Sequence, residues 1–98
     1  MAVGVYFRAS AFKHDITREQ ILHVLTETAV YDEPLPGNIP AWLVLGEDPA
    51  GVPLEVIVGE DLTSGLAVCF HAMPLLWRPP HHPYRQLYTA AKEDRDDQ

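Results

Sequence analysis

Three apolar segments separated by two short turns lie in the middle of the chain and constrain its fold more than any other feature. The segments are AWLVLGE (41–47), VPLEVIVGE (52–60) and GLAVCFHAM (65–73), and the turns are DPAG (48–51) and DLTSG (61–65). β-Branched and aromatic residues favour strands, while Gly, Pro and Asp favour tight turns. The pattern therefore predicts an antiparallel β-meander. Apolar residues fall on both faces of these strands, so we expect helices to cover both faces of the sheet.

One strand and one helix are predicted before the meander. VGVYFR (3–8) has the composition of a short strand. Thr17 and Gln20 have the spacing of a capping box, which satisfies the free amides at the start of a helix. Apolar residues recur at helical spacing after them, so we expect a helix from residue 18 to about residue 28.

The remaining segments predict a loop and a second helix. EPLPGNIP (33–40) is too rich in proline and glycine for regular structure. After PLLWRPPHHP (74–83), His82 can cap and Pro83 can begin a helix over YRQLYTAAKEDR (84–95). The order β-α-β-β-β-α predicts an α+β fold: a small antiparallel β-meander sheet with an N-terminal helix and a C-terminal helix packed on it. We expect a single domain over residues 1–98, with the acidic tail 93–98 frayed.

Composition and charge narrow the functional classes. The single cysteine, Cys69, excludes an intramolecular disulfide. MAVGVYFR lacks the pattern of a signal peptide and no apolar run approaches a membrane span, so we expect a cytoplasmic protein without membrane association. The net charge of −7 disfavours nonspecific nucleic-acid binding. However, no Lys or Arg occurs from Glu19 through Trp77, and all seven basic side chains lie near the two ends, where they can form a local basic patch.

His71 and Glu55 are the first candidate site residues. Alternation along the third segment places His71 on the face of Cys69, and Glu55 is an acid within the apolar run LEVIV of the adjacent strand. A buried carboxylate needs a partner, which a histidine across the sheet can supply. Because imidazole ordinarily titrates near neutral pH, the pair can act as a general acid and base. A structural hydrogen bond or a solvated sheet edge is the alternative, and the scarcity of catalytic residues favours it.

Residues at the two ends supply candidates for phosphate contact. Lys13 and His14 precede the predicted helix start, where free amides attract anions, although a loop role fits His14 equally well. Arg78 and Arg85 flank the proline-rich turn and can hold phosphate oxygens, or they can be solvated surface charges.

Motifs for metal and cofactor chemistry are absent from the sequence. The adjacent pair His81–His82 directs its rings apart, and the single cysteine offers no zinc spacing, so we expect no metal. The sequence contains no Walker A, G-x-G-x-x-G or G-x-S-x-G pattern, so we expect no cofactor.

Four segments together resemble the BrnT-like toxins of bacterial type II toxin–antitoxin modules. They are FKHDITREQILHVL (12–25), WLVLGEDPAGVPLEV (42–56), VCFHAMPL (68–75) and RQLY (85–88). The resemblance implies a fold similar to the RelE superfamily and a metal-independent endoribonuclease that acts on RNA. It also implies neutralisation by a cognate DNA-binding antitoxin, and self-association into a homo-oligomer is compatible with the sequence.

In this interpretation each candidate has a role. His71 and His14 are acid and base, and Glu55 orients or accepts protons. Arg78, Arg85 and Lys13 contact RNA. The sequence departs from the family where BrnT-like proteins carry Arg and Lys after the last strand, because His-Ala-Met (71–73) stands there instead.

A second hypothesis from another class remains open. The chain can be a non-catalytic protein–protein interaction module that retains the fold and uses Trp42, Trp77 and the proline-rich loops as contacts. Convergence of His14, His71, Arg78 and Arg85 within one cleft favours catalysis, whereas scattering of these residues favours the interaction module.

Overall fold

The structure, a computed structural model, describes residues 5–37, 40–61 and 64–96. The elements in chain order are β1 (Val5–Phe7), a 3-10 turn (Ala9–Phe12), α1 (Arg18–His23) continued by a π-helical turn (Val24–Thr28), β2 (Tyr31–Pro34), β3 (Ala41–Glu47), β4 (Pro53–Glu60), β5 (Ala67–Pro74), a second 3-10 turn (Leu75–Trp77) and α2 (Pro83–Asp96).

A five-stranded sheet forms the centre of the molecule, in the order β1-β5-β4-β3-β2. β3, β4 and β5 pair as the predicted antiparallel meander, and the α+β class is confirmed. The sheet is mixed, however, because β1 pairs in parallel with β5, with Val5 opposite Ala67. The segment between β1 and β2, which contains α1, crosses over one face of the sheet from one edge strand to the other.

β2 was not expected from the sequence, which predicted a loop from residue 33. It is an edge strand that pairs with β3, with Tyr31 opposite Leu45 and Pro34 opposite Trp42. Three of its four residues are exposed. Exposed acids and a proline are tolerated on an edge strand because its outer side makes no ladder hydrogen bonds. The irregular segment begins after Pro34, and residues 38 and 39 lie outside the described residues.

The capping box at the start of α1 is confirmed. The Thr17 side chain accepts a hydrogen bond from the Gln20 amide at 3.1 Å, and the Gln20 side chain accepts from the Thr17 amide at 2.8 Å. α1 and the π-helical turn together cover residues 18–28, as predicted. Ile21 and Val24 have no exposed surface, so this segment covers one face of the sheet.

Each face of the sheet carries its own apolar cluster. The cluster on the α1 side consists of Ala11, Ile16, Ile21, Val24, Val44, Leu54, Val56, Cys69 and Ala72. The cluster on the α2 side consists of Leu43, Leu45 and Leu75, with Tyr31, Leu35, Ile57, Tyr84, Leu87 and Tyr88 packed against them. The expectation that helices cover both faces is therefore confirmed.

A β-bulge in β5 corrects the predicted orientation of His71. The register shifts after Ile57, which lies opposite His71, because Val58 lies opposite Cys69 and Phe70 is the extra residue. A bulge breaks the alternation of side chains along a strand. Cys69 consequently faces α1, whereas His71 faces α2, the side on which Glu55 lies.

α2 begins as the sequence predicts. Pro83 is its first residue, and the His82 ring nitrogen Nδ1 accepts a hydrogen bond from the Tyr84 amide at 3.1 Å. The helix continues through Asp96, while residues 97 and 98 of the predicted frayed tail lie outside the described residues. No helix in the described ranges is both long and apolar enough to cross a membrane.

Candidate functional site

A buried carboxylate lies at the centre of the candidate site. Glu55 has no exposed surface, and it lies on β4 between Leu45 of β3 and Met73 of β5. His71 Nε2 is 2.9 Å from Glu55 Oε2. The Arg78 guanidinium donates from Nε to Oε1 and from Nη2 to Oε2, both at 2.8 Å. Both carboxylate oxygens thus have charged or ring-nitrogen partners, as a buried charge requires.

The proline-rich segment after β5 positions Arg78. The 3-10 turn ends at Trp77, and the Arg78 amide donates to the Leu75 carbonyl at 3.0 Å. Leu75, the first residue of the turn, is buried. Arg85 Nη1 donates to the Arg78 carbonyl at 3.0 Å. The Arg78 guanidinium also lies over the Tyr84 ring, 5.4 Å from its centroid. The turn and α2 therefore hold this arginine from several sides.

The surroundings of Glu55 and Arg78 favour the charged form of both side chains. Burial by itself raises the pKa of Glu55, but the hydrogen bonds and charges of Arg78 and His71 outweigh it, so the pKa lies below the ordinary glutamate value. The hydrogen bond to Glu55 likewise raises the pKa of Arg78. Glu55 is therefore an ionised hydrogen-bond acceptor at neutral pH.

His14 joins this site from the opposite end of the chain. Its ring centroid is 5.7 Å from that of His71 and 5.7 Å from that of Trp77, with edge-to-face geometry in both contacts. The segment that carries it is attached to β5, because Ser10 Oγ donates to the Phe70 carbonyl at 2.6 Å. We refer to His14, Glu55, His71 and Arg78 as the Glu55 cluster.

The hydrogen bond to Glu55 defines the chemical state of His71. An ionised carboxylate only accepts hydrogen bonds, so His71 Nε2 carries a proton when it faces Glu55. In the neutral ring Nδ1 then holds the lone pair and can accept a proton from another molecule. A histidine oriented in this way by a carboxylate is suited to general acid–base chemistry.

The predicted site residues lie mostly together. His14, His71 and Glu55, the predicted catalytic residues, belong to the Glu55 cluster with Arg78. Arg85 reaches it through the Arg78 carbonyl, and Lys13 is exposed beside His14 in the sequence.

The sequence did not place Trp77 among the site residues, although it was considered as a protein contact. Its position immediately before Arg78 was the only signal that pointed to the site. The bend that brings Trp77 against His14 depends on the tertiary fold.

The Glu55 cluster is separate from a cleft on the other face of the sheet. That cleft has a volume of about 390 Å³ and is lined by Val5, Leu25, Asp32, Trp42, Val44, Val58 and Ala67. None of the predicted site residues lines it. Within the described ranges, no group of three or more His, Cys, Asp or Glu side chains has an arrangement that would hold a metal ion.

Comparison with known proteins adds no relative. No protein-family model matches the sequence, and neither a curated protein nor a solved structure matches it at a significant level.

Proposed function

We propose that this protein is a metal-independent endoribonuclease, the toxin of a toxin–antitoxin module, with His14 and His71 as its acid–base pair. The observation that supports the proposal most strongly is the convergence of two imidazoles at a partly exposed site. Their ring centroids lie 5.7 Å apart, and the buried Glu55 holds one of them. Convergence within one cleft was the arrangement expected to favour catalysis over the interaction module. His14, His71 and Arg78 do meet around Glu55, at a site separate from the cleft on the other face of the sheet.

The proposed reaction requires two proton transfers. His71 Nδ1 removes the proton from a ribose 2′-hydroxyl, whose oxygen attacks the adjacent phosphorus. The bond from phosphorus to the 5′ oxygen breaks, and His14 in its protonated form donates a proton to that oxygen. The products are a 2′,3′-cyclic phosphate and a 5′-hydroxyl, and the next cycle begins after the two rings exchange protons with water.

The other cluster residues have supporting roles in this proposal. Glu55 is a positioning residue, because it contacts His71 and Arg78 and is shielded from solvent. Arg78 uses its Nε–H and one Nη2–H for Glu55, so it fixes the carboxylate in place and keeps the two Nη1–H and the second Nη2–H for phosphate. Lys13, which follows Phe12 and precedes His14 in the sequence, and Arg85, which binds the Arg78 carbonyl, supply positive charge for phosphate in this proposal.

Cleavage of RNA by the purified protein in EDTA tests the proposal. We expect cyclic-phosphate ends in the wild-type reaction and a loss of roughly 10²- to 10⁴-fold in rate for His71→Ala and His14→Ala. His81→Ala is the matched control, because this exposed histidine lies outside the cluster. Intact RNA after incubation with folded wild-type protein would sink the proposal, as would equal rates in all three variants.

A specific observation also supports the second candidate function, a non-catalytic interaction module. Leu76 and Trp77 are 56% and 62% exposed, side by side on one turn. Exposed apolar residues of this size are common at protein interfaces. If the folded protein leaves RNA intact while Trp77→Ala abolishes capture of the adjacently encoded protein, the interaction module becomes the better explanation.

A further inference from the structure

Trp77 is an exposed indole on a turn that is anchored on both sides. The two residues that flank its turn are anchored: Leu75 is buried in the apolar cluster on the α2 side, and Arg78 is bound to buried Glu55. A large aromatic side chain in water loses the stabilisation that burial would give. A fixed and solvent-facing ring is therefore suited to contact another molecule.

The ring of Trp77 has a face free of its histidine neighbour. The planes of Trp77 and His14 make an angle of 86°, so the contact is edge to face and not stacked. With 62% of the residue exposed, the indole offers a flat surface next to one of the two imidazoles. The centroid of the indole ring is 5.7 Å from that of His14, the proposed proton donor. A nucleobase stacked on the indole would bring its attached ribose close to that donor.

We propose that Trp77 is a stacking platform for one base of a single-stranded RNA, which places the attached ribose and phosphate at His14 and His71. This inference rests on the proposed ribonuclease function and names its substrate class. A base can stack on a protein ring only when it has left its own duplex, so the platform selects single strands, loops or ends over paired RNA.

The charge distribution makes stacking important for affinity. The protein carries a net charge of −7, and the basic residues near the platform are few, with Lys13 next to His14 in sequence and Arg85 bound to the Arg78 carbonyl. Few phosphates can then be neutralised, and each one contributes about −0.7 to the slope of log affinity against log salt for single strands. We therefore expect binding with a shallow salt dependence in which loss of the indole is costly.

Tryptophan fluorescence provides a direct measurement. The chain contains two tryptophans, so Trp42→Phe leaves Trp77 as the only indole. The probe is a single-stranded oligonucleotide of 2′-deoxynucleotides, which cannot be cleaved because it lacks the attacking hydroxyl. We expect it to quench Trp77 fluorescence, and we expect the same strand in a duplex to leave it unchanged.

Substitutions at the turn separate stacking from general apolar contact. Trp77→Leu removes the ring and is expected to weaken oligonucleotide binding roughly 5- to 150-fold, whereas Trp77→Phe keeps part of the affinity. Leu76→Ser is the matched control at the neighbouring exposed position and should bind like wild type. In RNA cleavage, Trp77→Leu should raise KM more than it lowers kcat, since its ring positions the substrate and moves no proton.

The outcomes distinguish this inference from the proposed function. If wild type cleaves RNA and Trp77→Leu cleaves and binds equally well, the platform is wrong and the ribonuclease stands. If the oligonucleotide binds in a Trp77-dependent manner without any RNA cleavage, the platform stands and the ribonuclease is wrong. If no oligonucleotide quenches Trp77 and RNA stays intact, both are overturned in favour of a protein-binding turn.

Discussion

At the scale of single residues, Glu55 determines the arrangement of the candidate site. Its position in the apolar run LEVIV places a carboxylate where water cannot reach it, so the chain has to supply donors. His71 in β5 and Arg78 directly after the 3-10 turn are those donors. The basic residues in the segment after β5 therefore have different functions. Arg78 pairs with the buried Glu55 carboxylate, and His82 caps α2.

Removal of Arg78 alone should destabilise the protein more than removal of the whole pair. Arg78→Met leaves the buried Glu55 carboxylate without its guanidinium, a change that typically costs about 3–5 kcal/mol. In Glu55→Met/Arg78→Met the charge and its partner both disappear, so we expect most of the stability to return. The measurement is the free energy of unfolding in urea at pH 7.

The pH dependence of the same variant provides a second check on Arg78. Without the guanidinium, burial of Glu55 favours its protonated form, which lower pH supplies. The stability difference between wild type and Arg78→Met should therefore shrink between pH 7 and pH 5. A difference that stays constant over this range would mean that Glu55 is not buried as a charge.

Cys69 should resist thiol reagents in the folded protein. Burial raises the pKa of its thiol to about 11, and the side chain has no exposed surface. Because the thiolate is the reactive form, we expect the modification rate at pH 8 to fall at least about 100-fold relative to the urea-unfolded chain. Absorbance of the released chromophore from a disulfide reagent measures both rates. Equal rates would show that Cys69 is accessible to solvent in the folded protein.

At the scale of elements, the π-helical turn after α1 is attached to β3 by one side chain. Thr28 Oγ1 donates to the Glu47 carbonyl at 2.6 Å and accepts from the Glu47 amide at 3.0 Å. The close approach has a steric requirement as well, since a Cβ at Gly46 would lie 2.9 Å from the Thr28 carbonyl oxygen. The sequence pattern of glycine and threonine thus allows a helix end to lie directly on a strand.

Loss of the Thr28 hydroxyl should weaken this attachment. Thr28→Val keeps the shape and removes both hydrogen bonds, and we expect a loss of about 1–3 kcal/mol in the free energy of unfolding. Thr28→Ser is the matched control, because it retains the hydroxyl and should lose far less. If Val and Ser are equally stable in urea, the hydroxyl contributes nothing and the contact depends on packing alone.

Some elements of the fold could be predicted from the sequence and others could not. The capping box, the Asp48–Gly51 turn, the His82 cap and the meander were predictable because each depends on residues close in sequence. β2 was missed because its stability comes from pairing with β3 and not from its own polar residues. The bulge at Phe70 was missed because periodicity assumes unbroken alternation, and nothing local indicates an added residue.

Part of the candidate site was predictable from the composition and pairing of adjacent strands. A carboxylate in an apolar strand identifies Glu55 as a residue in need of partners, and the register of adjacent strands brings His71 near it. The approach of His14 and Trp77 could not be inferred, because it depends on how the segment after β1 packs along β5 and on the bend after Pro74. The contacts of His14 with His71 and Trp77 join segments that are far apart in the sequence.

At the scale of the whole molecule, basic side chains of the C-terminal helix attach it to the acidic middle of the chain. Lys92 and the Tyr88 hydroxyl both bind Glu47, and Arg95 Nη1 donates to the Ala29 carbonyl at 3.0 Å. These contacts come from the end of the chain that holds most of the cations and reach the middle, which has none. The hydrogen bonds from Lys92 and Tyr88 lower the pKa of Glu47, so this anchor is strongest where that carboxylate is ionised.

Acid should therefore destabilise the protein despite its excess negative charge. Glu47, Asp48 and Glu55 all have pKa values below their ordinary ones, so the unfolded chain binds more protons than the folded chain as pH falls. Their stabilisation is present above the ordinary carboxylate pKa, near 4, and is lost as pH falls through the lowered folded values. Protonation also reduces the repulsion from the net charge of −7, which acts in the opposite direction.

Salt concentration distinguishes the protonation of these three carboxylates from the reduced charge repulsion. Beyond about 10 Å, repulsion between exposed charges is largely screened at 0.1 M salt, whereas hydrogen-bonded and buried pairs are screened much less. In urea titrations at 0.2 M NaCl we expect the unfolding midpoint to fall between pH 7 and pH 3.5, with a smaller fall in Glu55→Met/Arg78→Met because one of the three carboxylates is missing. A midpoint that rises on acidification would mean that repulsion across the acidic sheet outweighs the three local carboxylate networks.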